Sequence, residues 1–175
     1  MDAYEERIGR ILQELGAPAR RESSNWGLFP EAEELVSVGT DIYGREQRLT
    51  SPAAAAWEAM RTAAQKDGET LQLVSAFRSV DYQKGIIERK LATGQSWEKI
   101  LHVSALPGYS EHHTGRTIDV TTPGTEALEE EFASTSAFRW LQRRAGEFGF
   151  TMTYPRGNEF GIAYEPWHWT FQKQL

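Results

Sequence analysis

The chain contains no cysteine, which removes disulfides, thiolate nucleophiles and cysteine-bound metal together. Any metal must then sit on His, Asp or Glu, a donor set found in catalytic sites more than in structural ones. No apolar run approaches the ~18–20 residues that cross a bilayer, so no integral membrane segment is expected. Basic charge is in deficit: 19 Lys and Arg against 25 Asp and Glu leave a net charge of -6, and the footprint of a nucleic-acid binder is missing. The opening residues Met1-Asp2-Ala3-Tyr4-Glu5-Glu6 lack the basic and apolar regions of an export signal. As given, the chain reads as cytoplasmic; the trimmed, mature form of a periplasmic or extracellular protein would look the same. Histidine is scarce, with four in the whole chain.

What is present suffices for one compact domain. At 175 residues the chain can bury a single substantial core. Residues 2–15 pattern as an amphipathic helix, with Asp2 as cap, Glu5 completing a capping box, Tyr4, Ile8, Ile11, Leu12 and Leu15 on one face, and Gly16 as the stop. Residues 17–50 read as irregular, with extended pieces at Val36–Val38 and Asp41–Tyr43 that could form a hairpin. Ser51 is expected to cap a second helix with Pro52 at its first position, running to Lys66 before Asp67-Gly68. Leu71–Val74 reads as a strand. Ser79 is expected to cap a third helix with Tyr82, Ile86, Ile87 and Leu91 inward, and a further helical turn spans Ser96–Leu101. Thr117–Val120 reads as a strand, Ser136–Phe148 as a helix stopped by Gly149, and Phe150–Thr153 and Trp167–Phe171 as closing strands. Helices come first and strands gather late, which predicts an α+β fold with a small antiparallel sheet. Residues 1–49 are expected to pack as an N-terminal helix and irregular segment against a core spanning 50–175. Buried core is the expected use of most of the six tryptophans.

Two short segments hold three of the histidines: Ser110-Glu111-His112-His113-Thr114-Gly115-Arg116-Thr117-Ile118-Asp119 and Glu165-Pro166-Trp167-His168. A zinc site that splits amide bonds needs three protein ligands, an open position for water and a nearby base, and these segments contain that inventory. The seven-residue gap from His112 to Asp119 does not suit a helix, because Gly115 and the β-branched Thr117-Ile118 oppose one. On a regular strand an odd gap separates the two faces, so a turn at Thr114-Gly115-Arg116 is required to bring both onto one metal. Adjacent residues of extended chain point to opposite sides, so one of His112 and His113 binds; spacing does not choose. Pro166 drives Glu165 into extended backbone at the entrance to a strand, where Glu165 and His168 can converge on one cleft. Glu165 would then be the base for a zinc-activated water. Arg78 falls between a strand and a helix start, placed to meet a carboxylate or an oxyanion, and Gln83 lies one turn further on. His102 stands alone in an amphipathic stretch and reads as structural.

In order and spacing, these segments closely resemble the VanY-type D-alanyl-D-alanine carboxypeptidases, zinc peptidases related to the lysostaphin-type enzymes and the Hedgehog N-terminal domain. The resemblance rests on Ser110-x-His112-x-x-Gly115-x-x-x-Asp119 and Glu165-Pro166-Trp167-His168. It extends to Ser75-Ala76-Phe77-Arg78-Ser79 with Gln83, and to Trp140-Leu141, Gly149-Phe150 and Tyr154-Pro155-Arg156-Gly157, covering about residue 50 to the C-terminus. It implies one zinc ion on His112, Asp119 and His168, which resolves the choice against His113. It implies Glu165 as general base, Arg78 as the cation facing the scissile carbonyl oxygen or the substrate carboxylate, and Gln83, Ser110 and Tyr154 in the substrate pocket. Thr117 stands where the family usually has Ala, Phe77 where it has Tyr, and Trp169 where Tyr or Phe is common.

The implied function is release of the terminal D-alanine from peptidoglycan stem peptides, with D,D- and L,D-specificity undivided by these motifs. A peptidoglycan endopeptidase of the same group is the enzymatic alternative. A zinc-stabilised binding module without catalysis is the other, and the presence of Glu165 and Arg78 weighs against it.

Overall fold

Four short strands and five α-helices place the two motif segments on one side of a sheet. The computed structural model describes residues 3–18 and 27–172. Helix α1 (Ala3–Glu14) buries Ile8 and Ile11 and ends at Gly16, whose φ is +63°; the cap expected at Asp2 lies outside the described residues. A two-stranded antiparallel hairpin follows, β1 (Val36–Thr40) and β2 (Glu46–Leu49). The extended piece expected at Asp41–Tyr43 is instead the turn between them. Asp41 Oδ1 accepts the backbone N–H of Tyr43 at 2.8 Å and of Arg45 at 3.0 Å, a local side-chain bond that competes with strand pairing.

Helix α2 (Ser51–Lys66) starts one residue earlier than expected: Thr50 is the cap, without a side-chain bond, and Ser51 lies inside the helix. Proline near the start supplies the fixed φ that the first turn needs, so no cap side chain is required. Strand β3 (Gln72–Ser75) leads to helix α3 (Val80–Ala92), capped by Ser79 through its hydroxyl at 3.0 Å from the Tyr82 N–H. The buried stripe of α3 is Val80, Gln83 and Ile87. Tyr82, expected inside, is 46% exposed, because a glutamine occupies the position on the stripe that an apolar pattern would assign elsewhere. Helix α4 (Trp97–Val103) is capped by Ser96.

Strand β4 (Thr117–Thr121) is buried along its whole length. Helix α5 (Ser136–Arg144) passes into a tight 3-10 turn at Ala145–Phe148, so the α-helix is shorter than its apolar repeat suggested, and Gly149 at φ +79° stops it. Strands β5 (Phe150–Met152) and β6 (His168–Phe171) complete an antiparallel sheet in the order β3-β4-β6-β5. This is an α+β architecture.

One face of that sheet is apolar. Ile118, Val120, Phe150 and Trp169 pack there with Trp57, Met60 and Ala64 of α2 and Phe138, Trp140 and Leu141 of α5. A second cluster joins α1, α3 and α4 through Ile8, Ile11, Leu15, Val80, Ile87 and Ile100. No helix among the described residues is long and apolar enough to cross a membrane.

Candidate active site

Strand alternation sends neighbouring side chains to opposite faces. With Ile118, Val120 and Trp169 in the apolar core, Thr117, Asp119, His168 and Thr170 face the other side. Asp119 and His168 are direct cross-strand partners, and Asp119 Oδ1 lies 3.2 Å from His168 Nδ1.

His112 reaches this face from a 3-10 turn, Glu111–Thr114. Gly115 adopts φ +63° and redirects the chain into β4, which is the turn that the gap between His112 and Asp119 demanded. A Cβ at Gly115 would stand 2.7 Å from Leu35 Cδ2, so conformation and space both call for glycine. The N-terminal segment clamps this turn: the N–H groups of Phe29, Ala32 and Thr50 donate to the carbonyls of Gly108, His113 and Gly115 in turn, each at 2.8 Å.

The two adjacent histidines have different surroundings. His113 uses both nitrogens: Nδ1 donates to the Arg78 carbonyl at 2.7 Å and Nε2 accepts from the Gly108 N–H at 3.0 Å. His112 uses one, with Nδ1 2.6 Å from the Ala76 carbonyl. A carbonyl only accepts, so Nδ1 carries the hydrogen and Nε2 a free lone pair. That Nε2 has no hydrogen-bond partner although the residue is 1% exposed, and it faces Asp119 Oδ2 at 3.3 Å. Burial, followed by the nearby Arg78 charge, pushes the His112 imidazole down to about 4. It is therefore neutral at pH 7, and its approach to Asp119 is not an ion pair. Two electron-rich atoms face one another in a buried place, a contact that a cation turns from unfavourable to favourable. One donor atom from each of His112, Asp119 and His168 lies within 4.8 Å of the others. The donor set, two imidazoles and a carboxylate, suits zinc in an open catalytic site.

His168 is held from behind. Its Nε2 donates to Glu111 Oε2 at 2.8 Å, and Thr170 Oγ1 donates to the same oxygen at 2.8 Å. Burial opposes charge on this ring, but hydrogen bonds to Asp119 and Glu111 outweigh it and push the imidazole up to about 10. Without a metal that charge is a proton on Nδ1 directed at Asp119, which an ion bound there would replace. Burial likewise pushes Glu111 up, and bonds from His168 and Thr170 outweigh it and hold the carboxyl below its usual range. The sequence does not single out Glu111. A ligating His usually donates its second N–H to a carboxylate, yet nothing in the spacing shows that Glu111 meets a histidine 57 positions away.

Glu165-Pro166-Trp167-His168 closes as a β-turn, the His168 N–H donating to the Glu165 carbonyl at 3.1 Å, with Pro166 at the turn position that its fixed φ favours. The expected strand entrance is therefore a turn, and β6 begins at His168 itself. Trp169 Nε1 ties the turn to the core by donating to the Pro166 carbonyl at 2.9 Å. Glu165 Oε2 comes 3.6 Å from His168 Nδ1. Burial pushes this carboxyl up to about 7, where a group exchanges protons readily at neutral pH. Arg78 Nη2 lies 3.6 Å from Asp119 Oδ2, and its Nε has no partner. The Tyr154 ring stands 4.6 Å from the His168 ring; burial, then the Glu111 and Glu165 charges, pushes its hydroxyl up, so it stays a neutral donor. Gln83 and Ser110 are buried but do not hydrogen-bond the triad. Gln83 Nε2 donates to the Ala105 carbonyl at 2.7 Å, leaving Oε1 without a partner, and the Ser110 carbonyl accepts the His113 N–H at 3.1 Å. His102 is exposed.

A sequence profile described as VanY, D-alanyl-D-alanine carboxypeptidase, matches residues 46–174. The chain belongs to the VanY family. It is 35% identical over 127 residues to YodJ of Bacillus subtilis (strain 168), a match that takes in 71% of this chain and 46% of YodJ, so the chain spans about half the length of that relative. Among solved structures, the LdcB L,D-carboxypeptidase is similar with a TM-score of 0.70 and 34% identity, over 81% of this chain and 69% of LdcB. A D,D-pentapeptidase VanY from a VanB-type resistance cassette, solved with Zn(II), is similar with a TM-score of 0.65 and 25% identity, over 83% of each chain. The VanY-family profile covers every residue of the triad together with Glu111 and Glu165.

Proposed function

We propose that this chain is a zinc-dependent carboxypeptidase that removes the terminal D-alanine from peptidoglycan stem peptides, with D,D- or L,D-specificity. The observation that carries the reading is the unpartnered, buried His112 Nε2 facing Asp119 Oδ2 at 3.3 Å, with His168 as the third donor. His112, Asp119 and His168 would hold the ion. Bound zinc supplies Lewis acidity toward the scissile carbonyl and lowers the pKa of a water to about 7.

Glu165, buried and proton-exchanging near pH 7, takes the proton of the attacking water and returns it to the leaving amine. Arg78, with Nε uncommitted, offsets the charge that develops on the carbonyl oxygen. Tyr154 offers a neutral O–H at the same place, and Gln83 and Ser110 line the pocket that receives the peptide. The names of the VanY relatives support a peptide substrate ending in D-alanine. The test is incubation of zinc-loaded protein with tetra- and pentapeptide muropeptides, with products identified by mass spectrometry. Loss of one alanine is expected. Two peptide fragments would mean an endopeptidase, and unaltered peptides with folded, zinc-loaded protein would overturn the activity.

A further inference from the structure

We infer that Lys90 binds the free C-terminal carboxylate of the peptide and thereby restricts the site to chain ends; this rests on the carboxypeptidase reading above. Lys90 lies seven residues beyond Gln83 on α3, two turns along the same helix face and about 10 Å further on. Its Nζ donates to Ser104 Oγ at 2.6 Å, next to the Ala105 carbonyl that Gln83 holds at 2.7 Å. Helix α3 and the segment after α4 thus form one wall. That wall is joined to the Glu165 segment, since the Ala163 N–H donates to the His102 carbonyl at 3.0 Å. The charges that act on the Lys90 ammonium are those of Arg78 and Glu165.

Lys90 is half-buried, and its hydrogen-bond partner is a neutral hydroxyl. Among the described residues no carboxylate lies within 4.0 Å of it. A partly desolvated cation without an anion is unfavourable unless a ligand supplies one. Burial and the Arg78 guanidinium push the ammonium down and the Glu165 carboxylate offsets them only in part; an anion bound at Lys90 would supply the rest.

The carboxylates beside the triad, Glu111 and Glu165, face His168, and neither pairs with Lys90. Gln83 Oε1 is an acceptor without a donor, and it is buried. The end of a peptide offers what both residues lack, an amide N–H and a carboxylate. A chain that continued through the site would place a neutral amide against Lys90 and leave the ammonium unmatched, which discriminates against it.

The experiment uses zinc-loaded protein, the Lys90→Met variant and the Lys90→Arg variant. Each is assayed on a D-alanine-terminated stem peptide and on the same peptide as its C-terminal amide. Equilibrium binding of both peptides is measured in a Glu165→Gln background, and zinc content and melting temperature are checked. For the free acid, Lys90→Met should raise KM about 10- to 100-fold with kcat within about twofold, and Lys90→Arg should recover most of the loss. The amide should bind equally weakly with and without Lys90. Unchanged KM and binding for the acid, or equal losses for acid and amide, would overturn the inference. If no peptide is hydrolysed by the unsubstituted protein, the carboxypeptidase reading fails, and the binding comparison still decides the role of Lys90.

Discussion

The Nε2 of His168 donates to Glu111 Oε2 at 2.8 Å, joining the last strand to the turn that carries His112. One carboxylate thereby commits Nε2 and leaves Nδ1 facing Asp119. It also ends a chain of hydroxyls. Thr170 Oγ1 bonds Glu111, and Thr117 Oγ1 bonds Thr170 Oγ1 at 3.0 Å, so Thr117 adds to the support behind His168. Replacement of Glu111 by Gln should weaken zinc binding about 10- to 100-fold with the fold retained. Chelator competition measures this, and an unchanged affinity would remove Glu111 from that role.

The two adjacent histidines should separate cleanly. His112→Ala should abolish stoichiometric zinc, because it deletes the unpartnered Nε2. His113→Ala should keep zinc near one per chain but cost about 1–3 kcal/mol of stability, since the Arg78 carbonyl and Gly108 N–H lose their buried partner. Metal analysis and thermal melting of both variants would decide it, and loss of zinc from His113→Ala alone would reverse the assignment.

Glu165→Gln should retain zinc and lose about 10²–10⁴ in kcat, read from D-alanine release at matched metal content. Near-normal turnover would remove Glu165 from the base role.

Gly115→Ala should destabilise by at least about 1–2 kcal/mol, from the left-handed conformation alone, with more from the approach to Leu35. Since this turn sets the spacing of His112 and Asp119, zinc affinity should fall with it. Melting curves with and without zinc test both.

Asp41 gives the acid dependence a defined sign. Burial pushes its carboxyl up, but the backbone and guanidinium bonds of Arg45 and the Tyr43 N–H outweigh this and hold it below the usual range. A folded value below the unfolded one, about 3.9, means a stabilising contribution that is full above about pH 4–5. It is lost as pH falls through the folded value. Asp41→Asn should therefore lower the melting temperature at pH 7 and flatten its decline below about pH 4. An unaltered acid limb would show that other carboxylates dominate.

Much of the fold is readable in the chain because the signals are local. The stripe of α1, the Ser79 and Ser96 caps and the Gly149 stop need only neighbouring residues to act. Misreadings occur where a side chain takes over a backbone bond or a polar group takes a core position. Asp41 turns an apparent strand into a hairpin turn, and buried Gln83 displaces Tyr82 from the inner face of α3. The Glu165–His168 segment reads as a strand entrance, yet it closes as a turn around Pro166. That turn brings Glu165 and His168 together.

The amino-acid sequence alone determined the donor types, through the absence of cysteine, the segments that carry them, and the need for a turn at Gly115. It could not separate His112 from His113 by spacing, because adjacent residues differ only in what they meet after folding. Tertiary structure distinguishes their surroundings. The Arg78 carbonyl and Gly108 N–H consume both nitrogens of His113, while Ala76 takes one nitrogen of His112 and leaves the other aimed at Asp119. The same holds for Glu111 and Lys90, whose partners come from distant strands and loops. Hydrogen-bond partners and buried charge are properties of contacts, and contacts across the sheet exist only once β4 and β6 are paired.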